Sequence, residues 1–392
     1  MTLHVDRSTW KCVRLGDVIR RSRRQVDPIE SGVERYVAGG HIDSESLTIE
    51  RWGDPSDGKM GSTFRYVFEP GQVLFVSARP YLRKSGVVDF SGVVADKTYV
   101  LDSHRERGLL LELLPLVLSS ERFLAFAAAE ATGSMNPRLL WGPMQRYEFD
   151  LPPMNEQKRI ADLLWTIERH RLSVACAHRA ACAVLRHVRA SMFEGGGDTA
   201  RADELFDITL GRQRSPKHES GDHILPYLRS ANVTLNGIDV TDIKSMNFEP
   251  REQVQFALAV GDVLVSEASA SAASVGMPAV WQGENPGLVC FQNTLLRYRA
   301  IDDVTLPSFL EHFCHWAFET GKFLVASSGT NIRHIGVGGA SSMIVRRASI
   351  SEQEAFVAQA RVAGNAVRSL RQELDAVTAL LTKLTNELLG VN

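Results

Sequence analysis

The sequence predicts an α+β protein made twice over, with two tandem globular α+β halves and a long α-helix after each. Three observations predict this. Two apolar seams step alternately by three and four residues, the spacing of a coiled coil. One runs Leu163, Ile167, Val174, Ala177, Ala181, Val184 and Val188, with His170 filling its gap. The other runs Ala360, Ala363, Val367, Leu370, Leu374, Val377, Leu381, Leu384 and Leu388. Second, short segments recur in the same order at an offset near 190 residues. Third, each half places β-rich runs before helical ones, an order that fits an α+β domain of ordinary size.

The repeat carries most weight, because periodic copies decide how every other motif is read. Leu15-Gly-Asp-Val-Ile19 answers Leu205-Phe-Asp-Ile208, and Tyr36-Val-Ala-Gly-Gly-His-Ile42 answers Tyr227-Leu-Arg-Ser-Ala-Asn-Val233. Pro70-Gly-Gln-Val-Leu-Phe-Val-Ser77 answers Val260-Gly-Asp-Val-Leu-Val-Ser266. Thr132-Gly-Ser-Met-Asn136 answers Ser328-Gly-Thr-Asn-Ile332, and Asn155-Glu-Gln157 answers Ser351-Glu-Gln353.

Strands are expected at Val73–Val76, Val87–Phe90, Thr98–Leu101, Val263–Val265 and Thr294–Tyr298, bounded by Gly, Pro and Asp. Helices are expected at Leu109–Leu118, Glu121–Ala131 and Leu306–Thr320. Pro152 and Pro153 stop the first domain, Asn155 is the expected N-cap, and Glu156 and Gln157 fill the first turn of the long helix. Glu194-Gly-Gly-Gly-Asp198 is a flexible break. Ser351 and Glu354 have the spacing of a capping box at the head of the second long helix. The expected division is therefore a domain over 1–150, a helix over 151–193, a linker over 194–200, a domain over 201–347 and a helix over 348–392.

At 392 residues the chain is long for one core. Its 44% hydrophobic and 23% charged content is ordinary for a soluble protein. Five cysteines without a CxxC pair read as reduced thiols in a cytoplasmic protein. No apolar signal core opens the chain, and the run near Leu109–Leu118 is broken by Glu112 and Pro115, so no membrane span is expected. A net charge of −2 argues against a general polyanion binder and confines nucleic-acid contact to local basic patches.

Leu151-Pro-Pro-Met-Asn-Glu-Gln-Lys-Arg-Ile-Ala-Asp-Leu-Leu164, the Gly-Asp-Val-Leu pieces, the Thr-Gly-Ser-Met-Asn-Pro turn and the tandem plan together resemble the specificity subunits of type I restriction–modification enzymes. The resemblance spans essentially the whole chain. The second copy departs from it by having Arg346-Arg-Ala-Ser-Ile-Ser351 in place of the proline pair, and by the small-residue loop Ser266–Gly276. The resemblance implies two target-recognition domains, each reading half of an asymmetric, bipartite site in double-stranded DNA. It implies that the helices pair as an antiparallel coiled coil and dock two DNA adenine methyltransferase subunits, which restriction/translocase subunits join. S-adenosylmethionine, ATP and Mg would then belong only to those partners, this chain being non-catalytic and cofactor-free. A seam of about 38 residues makes a helix of roughly 57 Å, longer than a duplex turn of about 34–36 Å. Helix length would thus act as a ruler between half-sites.

Base reading needs Arg, Lys, Asn and Gln on loops that reach groove edges. In the first half the candidates are Arg20, Arg21, Arg23 and Arg24, then Arg79, Tyr81, Arg83 and Lys84 in a turn after the strand at Gly71–Ser77, then Asn136 and Arg138. In the second they are Arg212, Arg214 and Lys217 in a basic loop, with Arg229, Asn232, Gln292, Asn293, Asn331, Arg333 and His334. Arg212, Arg214, Asn331 and Arg333 are the first expected contacts. A solvated surface would show the same basic clusters, and Gln292 and Asn293 could instead cap a strand. The expected helix-pairing residues are Leu163, Ile167, Val174, Val184 and Val188 with Val367, Leu370, Leu374, Val377, Leu381 and Leu384.

Other chemistry is not signalled. There is no Gly-x-Gly-x-x-Gly, no Gly-x-x-x-x-Gly-Lys, and no Asn- or Asp-Pro-Pro-Tyr methyltransferase motif. His312-Phe-Cys-His315 lacks a second ligand cluster, and Asp96-Lys97 lacks the further acid of a nuclease centre. Two other functions fit the same plan. One is a structural adaptor with two protein-binding modules and a dimerising coiled coil; the other is a specificity module of a nuclease-free methylation or phage-defence system.

Overall fold

The computed structural model describes residues 6–269, 274–329 and 333–390. The chain divides into two units: one takes the chain up to Cys176 and from Arg371 onward, the other runs Ala177–Leu370. The division cuts both long helices, where the sequence suggested separate helical segments. Each half-helix buries its apolar face on the globular core beside it.

A strand reading Val-Leu-Phe-Val has no polar face, so it needs cover on both sides. In the first unit the strands are β1 (Lys11–Arg14), β2 (Ile19–Ser22), β3 (Tyr36–Val37), β4 (Phe64–Phe68), β5 (Val73–Val76), β6 (Ser85–Val87), β7 (Gly92–Ala95), β8 (Thr98–Ser103) and β9 (Glu148–Leu151). A four-stranded sheet has the order β2-β8-β5-β6, and a three-stranded sheet the order β3-β7-β4. Because side chains alternate along a strand, Val73 and Phe75 of β5 enter one core with Tyr99 and Leu101 of β8. Leu74 and Val100 enter the other, beneath the three-stranded sheet. The first core also takes helix α1 (Leu114–Ser119), helix α2 (Glu121–Ala129), Leu164 of the long helix α3 (Met154–Phe193), and Leu381 and Leu388 near the end of the chain. The strand expected at Val87–Phe90 breaks after Val87, and Val88 and Phe90 fill the second core instead.

The second unit repeats this frame. Its main strands are β10 (Thr199–Arg201), β11 (Phe206–Leu210), β12 (Ile224–Leu228), β13 (Lys244–Asn247), β14 (Val263–Ser266), β15 (Pro278–Val280), β16 (Cys290–Phe291), β17 (Leu295–Ala300) and β18 (Ile344–Arg346), beside shorter two-residue pairings. Its four-stranded order, β11-β17-β14-β15, matches the first strand for strand, and β10-β18 matches β1-β9. Helix α4 (Pro307–Glu319) and the first half of helix α5 (Ile350–Leu389) cover one face. The three-stranded sheets differ. The parallel pair β12·β16 answers β3·β7, but the third strand β13 adds to β12, whereas β4 adds to β7.

The long helices pair as an antiparallel coiled coil: the first half of α3 shares a core with the end of α5, and the second half of α3 with its beginning. Their starts differ in detail from the sequence reading. Helix α3 begins at Met154, and Pro153 accepts the first amide bonds, from Glu156 and Gln157, so Asn155 lies inside the first turn rather than capping it. The capping box of α5 is Ser349 with Glu352, each accepting the other's amide (3.3 and 2.8 Å), not Ser351 with Glu354.

On α5 the expected residues from Val367 to Leu384 are buried or half-buried. On α3 Ile167, Val174 and Val188 turn inward, but Leu163 and Val184 do not, being 43% and 55% exposed. The inward row is Leu164, Arg171, His178 and Leu185, one residue round the helix. Glu168 is wholly buried and takes a two-point hydrogen bond from Arg171 (2.6 and 2.8 Å), so charged residues occupy a face that an apolar pattern would exclude.

Candidate nucleic-acid interface

In the first unit, Arg79 and Arg83 both adopt left-handed backbone (φ 52° and 54°) on either side of the turn Pro80–Leu82. Such geometry is costly for any residue other than glycine, and between the two Tyr81 stands outward, 56% exposed. Arg79 donates through Nε to Asn136 Oδ1 (2.8 Å) and through its amide to Pro137 O (2.6 Å), tying this turn to the loop over 132–138. Two stretches far apart in sequence thus present Arg79, Tyr81 and Asn136 together. Met135 stands beside them, 88% exposed.

The basic strand β2 supplies the other cluster. Arg20 pairs with Asp102 (3.4 Å) and Arg24 with Glu69 (2.6 Å), while Arg23 is exposed. Arg21 lies over the Tyr99 ring, 4.1 Å from its centroid, with Tyr66 at 5.9 Å.

Three further candidates in this unit are engaged within the fold. Arg83 is gripped by Glu121 (2.5 and 2.8 Å) and Glu45 (3.1 Å). Lys84 donates to Gly39 O (2.5 Å). Arg138 donates to Ser77 Oγ (2.9 Å) and to the Asp96 carbonyl (2.6 Å) and carboxylate (3.2 Å).

The second unit has a cleft of 570 Å³ whose lining includes Arg214, Arg229, Gln292, Tyr227 and Lys244. Asp242 organises its basic wall by accepting from both Arg229 and Lys244. Lys244 eluded sequence reasoning because it is a single lysine in a strand, with no neighbouring basic residue to mark it. Gln292 is held by its backbone, its amide donating to Leu228 O (2.9 Å), and its side chain is half-buried in the cleft. Gly211 permits this approach, since a Cβ there would stand 2.2 Å from Gln292 O. Asn293 closes the adjoining turn through its amide to Arg212 O (3.0 Å). Lys217 is exposed beside the cleft, and Arg214 pairs with Glu219 (3.0 Å).

Arg212 and Asn232, expected to touch DNA, are buried at 6% and 2% exposure. Arg212 donates to Glu252 (2.8 Å) and to Asn247 O, and lies over the Phe248 ring. Asn232 caps a loop, accepting from Arg229 N (3.0 Å) and donating to Asp239 O (2.8 Å). Arg333 and His334 are exposed, with His334 facing Glu267 at 3.1 Å. Asn331 lies outside the described residues.

His312 and His315 lie beside Arg189. Arg189 points Nε at His312 Nδ1 (3.4 Å) and pairs with Glu319 (2.6 Å). Burial, reinforced by the Arg189 charge, pushes the two imidazoles down to about 4 and about 3, so both are neutral. Among the described residues no group of three or more His, Cys, Asp or Glu could hold a metal ion, and no helix is long and apolar enough to cross a membrane.

No protein-family model matches the chain, and no curated protein matches it. Solved structures do. One, described as the structural basis of complex assembly and conformational transition of the type I R-M system, is similar at TM-score 0.58 and 20% identity over 97% of each chain. The type I restriction–modification S subunit from M. genitalium is similar at TM-score 0.55 and 12% identity over 99% of each chain. The HsdS subunit from Thermoanaerobacter tengcongensis aligns over 97% of this chain and 96% of its own, with 20% identity and a TM-score of 0.42. At such identities the likeness is one of fold, and it agrees with the motifs at the heads of the long helices: from end to end, this chain has the fold of the specificity subunits of type I restriction–modification systems.

Proposed function

We propose that the chain is a non-catalytic, sequence-specific DNA-recognition subunit whose two units read the two unlike halves of a bipartite site. The observation that carries this reading is the second unit's cleft, where Arg214, Arg229, Lys244 and Gln292 converge from four separate stretches of chain. Cations suited to phosphates stand there beside an amide suited to a base edge. The first unit supports it with Arg79, Tyr81 and Asn136 on joined loops. The three-stranded sheets support unlike half-sites, because their third strands lie on opposite edges. Arg333 and Lys217 join as phosphate contacts of the second unit, and Arg20, Arg23 and Arg24 as those of the first. The coiled coil is the docking surface for two adenine methyltransferase subunits, and through them for restriction subunits. S-adenosylmethionine, ATP and Mg belong to those partners, and the complex works in the cytoplasm.

The test is to co-express the full chain with its methyltransferase partner in a methylation-free host and map modified bases by single-molecule sequencing. One split motif is expected, with two short, unlike halves around a fixed gap. Double Arg214→Gln, Lys244→Gln substitution should lower modification at every site and flatten the salt dependence of binding, by about one unit of log–log slope per lost phosphate contact. A soluble, active methyltransferase that modifies no motif would sink the reading in favour of a protein-binding adaptor.

A further inference from the structure

Arg20, Arg24 and Arg138 each face a carboxylate, but Arg21, at the centre of the same cluster, faces none among the described residues. Its place is fixed from three sides. The backbone is locked in β2 opposite Leu101 of β8. The guanidinium lies 4.1 Å over the centroid of Tyr99, whose own hydroxyl is anchored on Leu139 O (2.9 Å). Arg138 approaches the same ring at 5.9 Å.

Its Nε is buried without a hydrogen-bond partner. An unsatisfied buried donor is costly and, in a folded protein, calls for a reason. Burial also pushes the Arg21 guanidinium below its usual range, as do the positive charges of Arg23 and Arg138. The free chain therefore holds a half-buried cation that is stacked on an aromatic ring and has its Nε unpaired, an arrangement open to an incoming acceptor.

The acceptor follows from the geometry. Arg20, Arg23 and Arg24 are exposed, and the ion pairs of Arg20 with Asp102 and Arg24 with Glu69 lie at the surface, where a phosphate backbone can displace them. Arg21 is half-buried, and its stacking on Tyr99 restricts the plane of its fork. A planar fork of fixed orientation matches the O6 and N7 acceptors that guanine presents in the major groove. We propose that Arg21 is a specificity-determining residue of the first unit, reading one guanine of its half-site from a Tyr99 shelf, with Arg20, Arg23 and Arg24 on the flanking phosphates. This rests on the DNA-recognition reading above.

The test uses the full chain with its methyltransferase partner. Arg21→Gln and Arg21→Lys should leave the split motif recognisable but make one guanine position degenerate in one half. Discrimination at that position should fall roughly ten- to hundredfold, with the other half unchanged. In a binding assay with the wild-type complex, 7-deazaguanine at that position, which lacks the N7 acceptor, should weaken binding comparably. It should make little further difference to the Arg21→Gln complex.

An unchanged motif in Arg21→Gln would overturn the proposal. So would a uniform loss of modification that Arg21→Lys restores, since that marks a phosphate contact. The 7-deazaguanine arm needs no variant, so a poorly folding Arg21→Gln does not rescue the idea: if no guanine of either half depends on its N7, the proposal falls. If the wild-type complex gives no split motif, the DNA-recognition reading itself has failed, a result distinct from each of these.

Discussion

Gln157 and Gln353 show what single side chains contribute. Gln157 accepts from Leu110 N (2.8 Å) and donates to Gly108 O (2.6 Å) and Pro152 O (2.8 Å). Gln353 does the same with Leu306 N (2.8 Å), Val304 O (2.9 Å) and Ala348 O (2.9 Å). Each staples the head of a long helix to a loop of its own unit. The paired Glu-Gln motifs stand at equivalent places in the sequence because they do equivalent structural work. At the same scale, the buried His312 and half-buried His315 of α4 predict an acid response. Their folded pKa values lie below the ordinary 6.5, so the unfolded chain binds protons first and stability falls as pH drops below about 6.5. Between pH 7.5 and 5.5 the loss is about 1.4 kcal/mol per histidine. Burial raises the carboxyls of Glu311 and Glu319 beside them, and their proton uptake in the folded state opposes this trend. Thermal melts across that interval should show the second unit weakening, and His315→Gln should flatten the curve. A melting temperature independent of pH would contradict the assignment.

At the scale of the element, the long helices separate two adjacent leucines. Leu164 is fully buried among the core residues of the first unit, whereas Leu163 is 43% exposed. Truncating Leu164 to Ala should cost about 2–5 kcal/mol, and truncating Leu163 well under 1 kcal/mol in the isolated chain. Chemical denaturation of the two variants measures the difference, and equal losses would mean that the helix row is misplaced. Leu163 and Val184 remain on the outer face of α3, where a docking partner can reach them. The four-stranded sheets illustrate the same economy of design: Leu74 and Leu264 face one core of their units while Val73 and Val263 face the other.

For the molecule as a whole, the two units share a four-stranded sheet, strand for strand, and diverge in the three-stranded one. Within the proposed function, the shared frame carries assembly and the divergent part carries recognition. The prediction at this scale concerns the gap between half-sites. Deleting one matched heptad from α3 and α5 removes about 10 Å of helix, which corresponds to roughly three base pairs. The mapped motif should keep both halves and shorten its gap by about that number. An altered half-site, or an unchanged gap, would count against the helices as a ruler.

The sequence by itself determined the tandem repeat, the two long helices and the family resemblance, because these are written in spacing along the chain. It also marked Arg21, Arg79, Tyr81, Arg214, Arg229 and Gln292, which the structure leaves at surfaces or in the cleft. Only the tertiary structure decided which charges are already engaged. Arg212 meets Glu252 from 40 residues away, and Arg138 meets Asp96 from 42. No local pattern foretells such partners, so residues alike in sequence become a buried strut in one place and an open cation in another. The same holds for α3, where the Glu168–Arg171 pair lets charge face inward. Periodicity fixes which residues share a helix face, but the free energy of burying that face depends on what the fold brings opposite it.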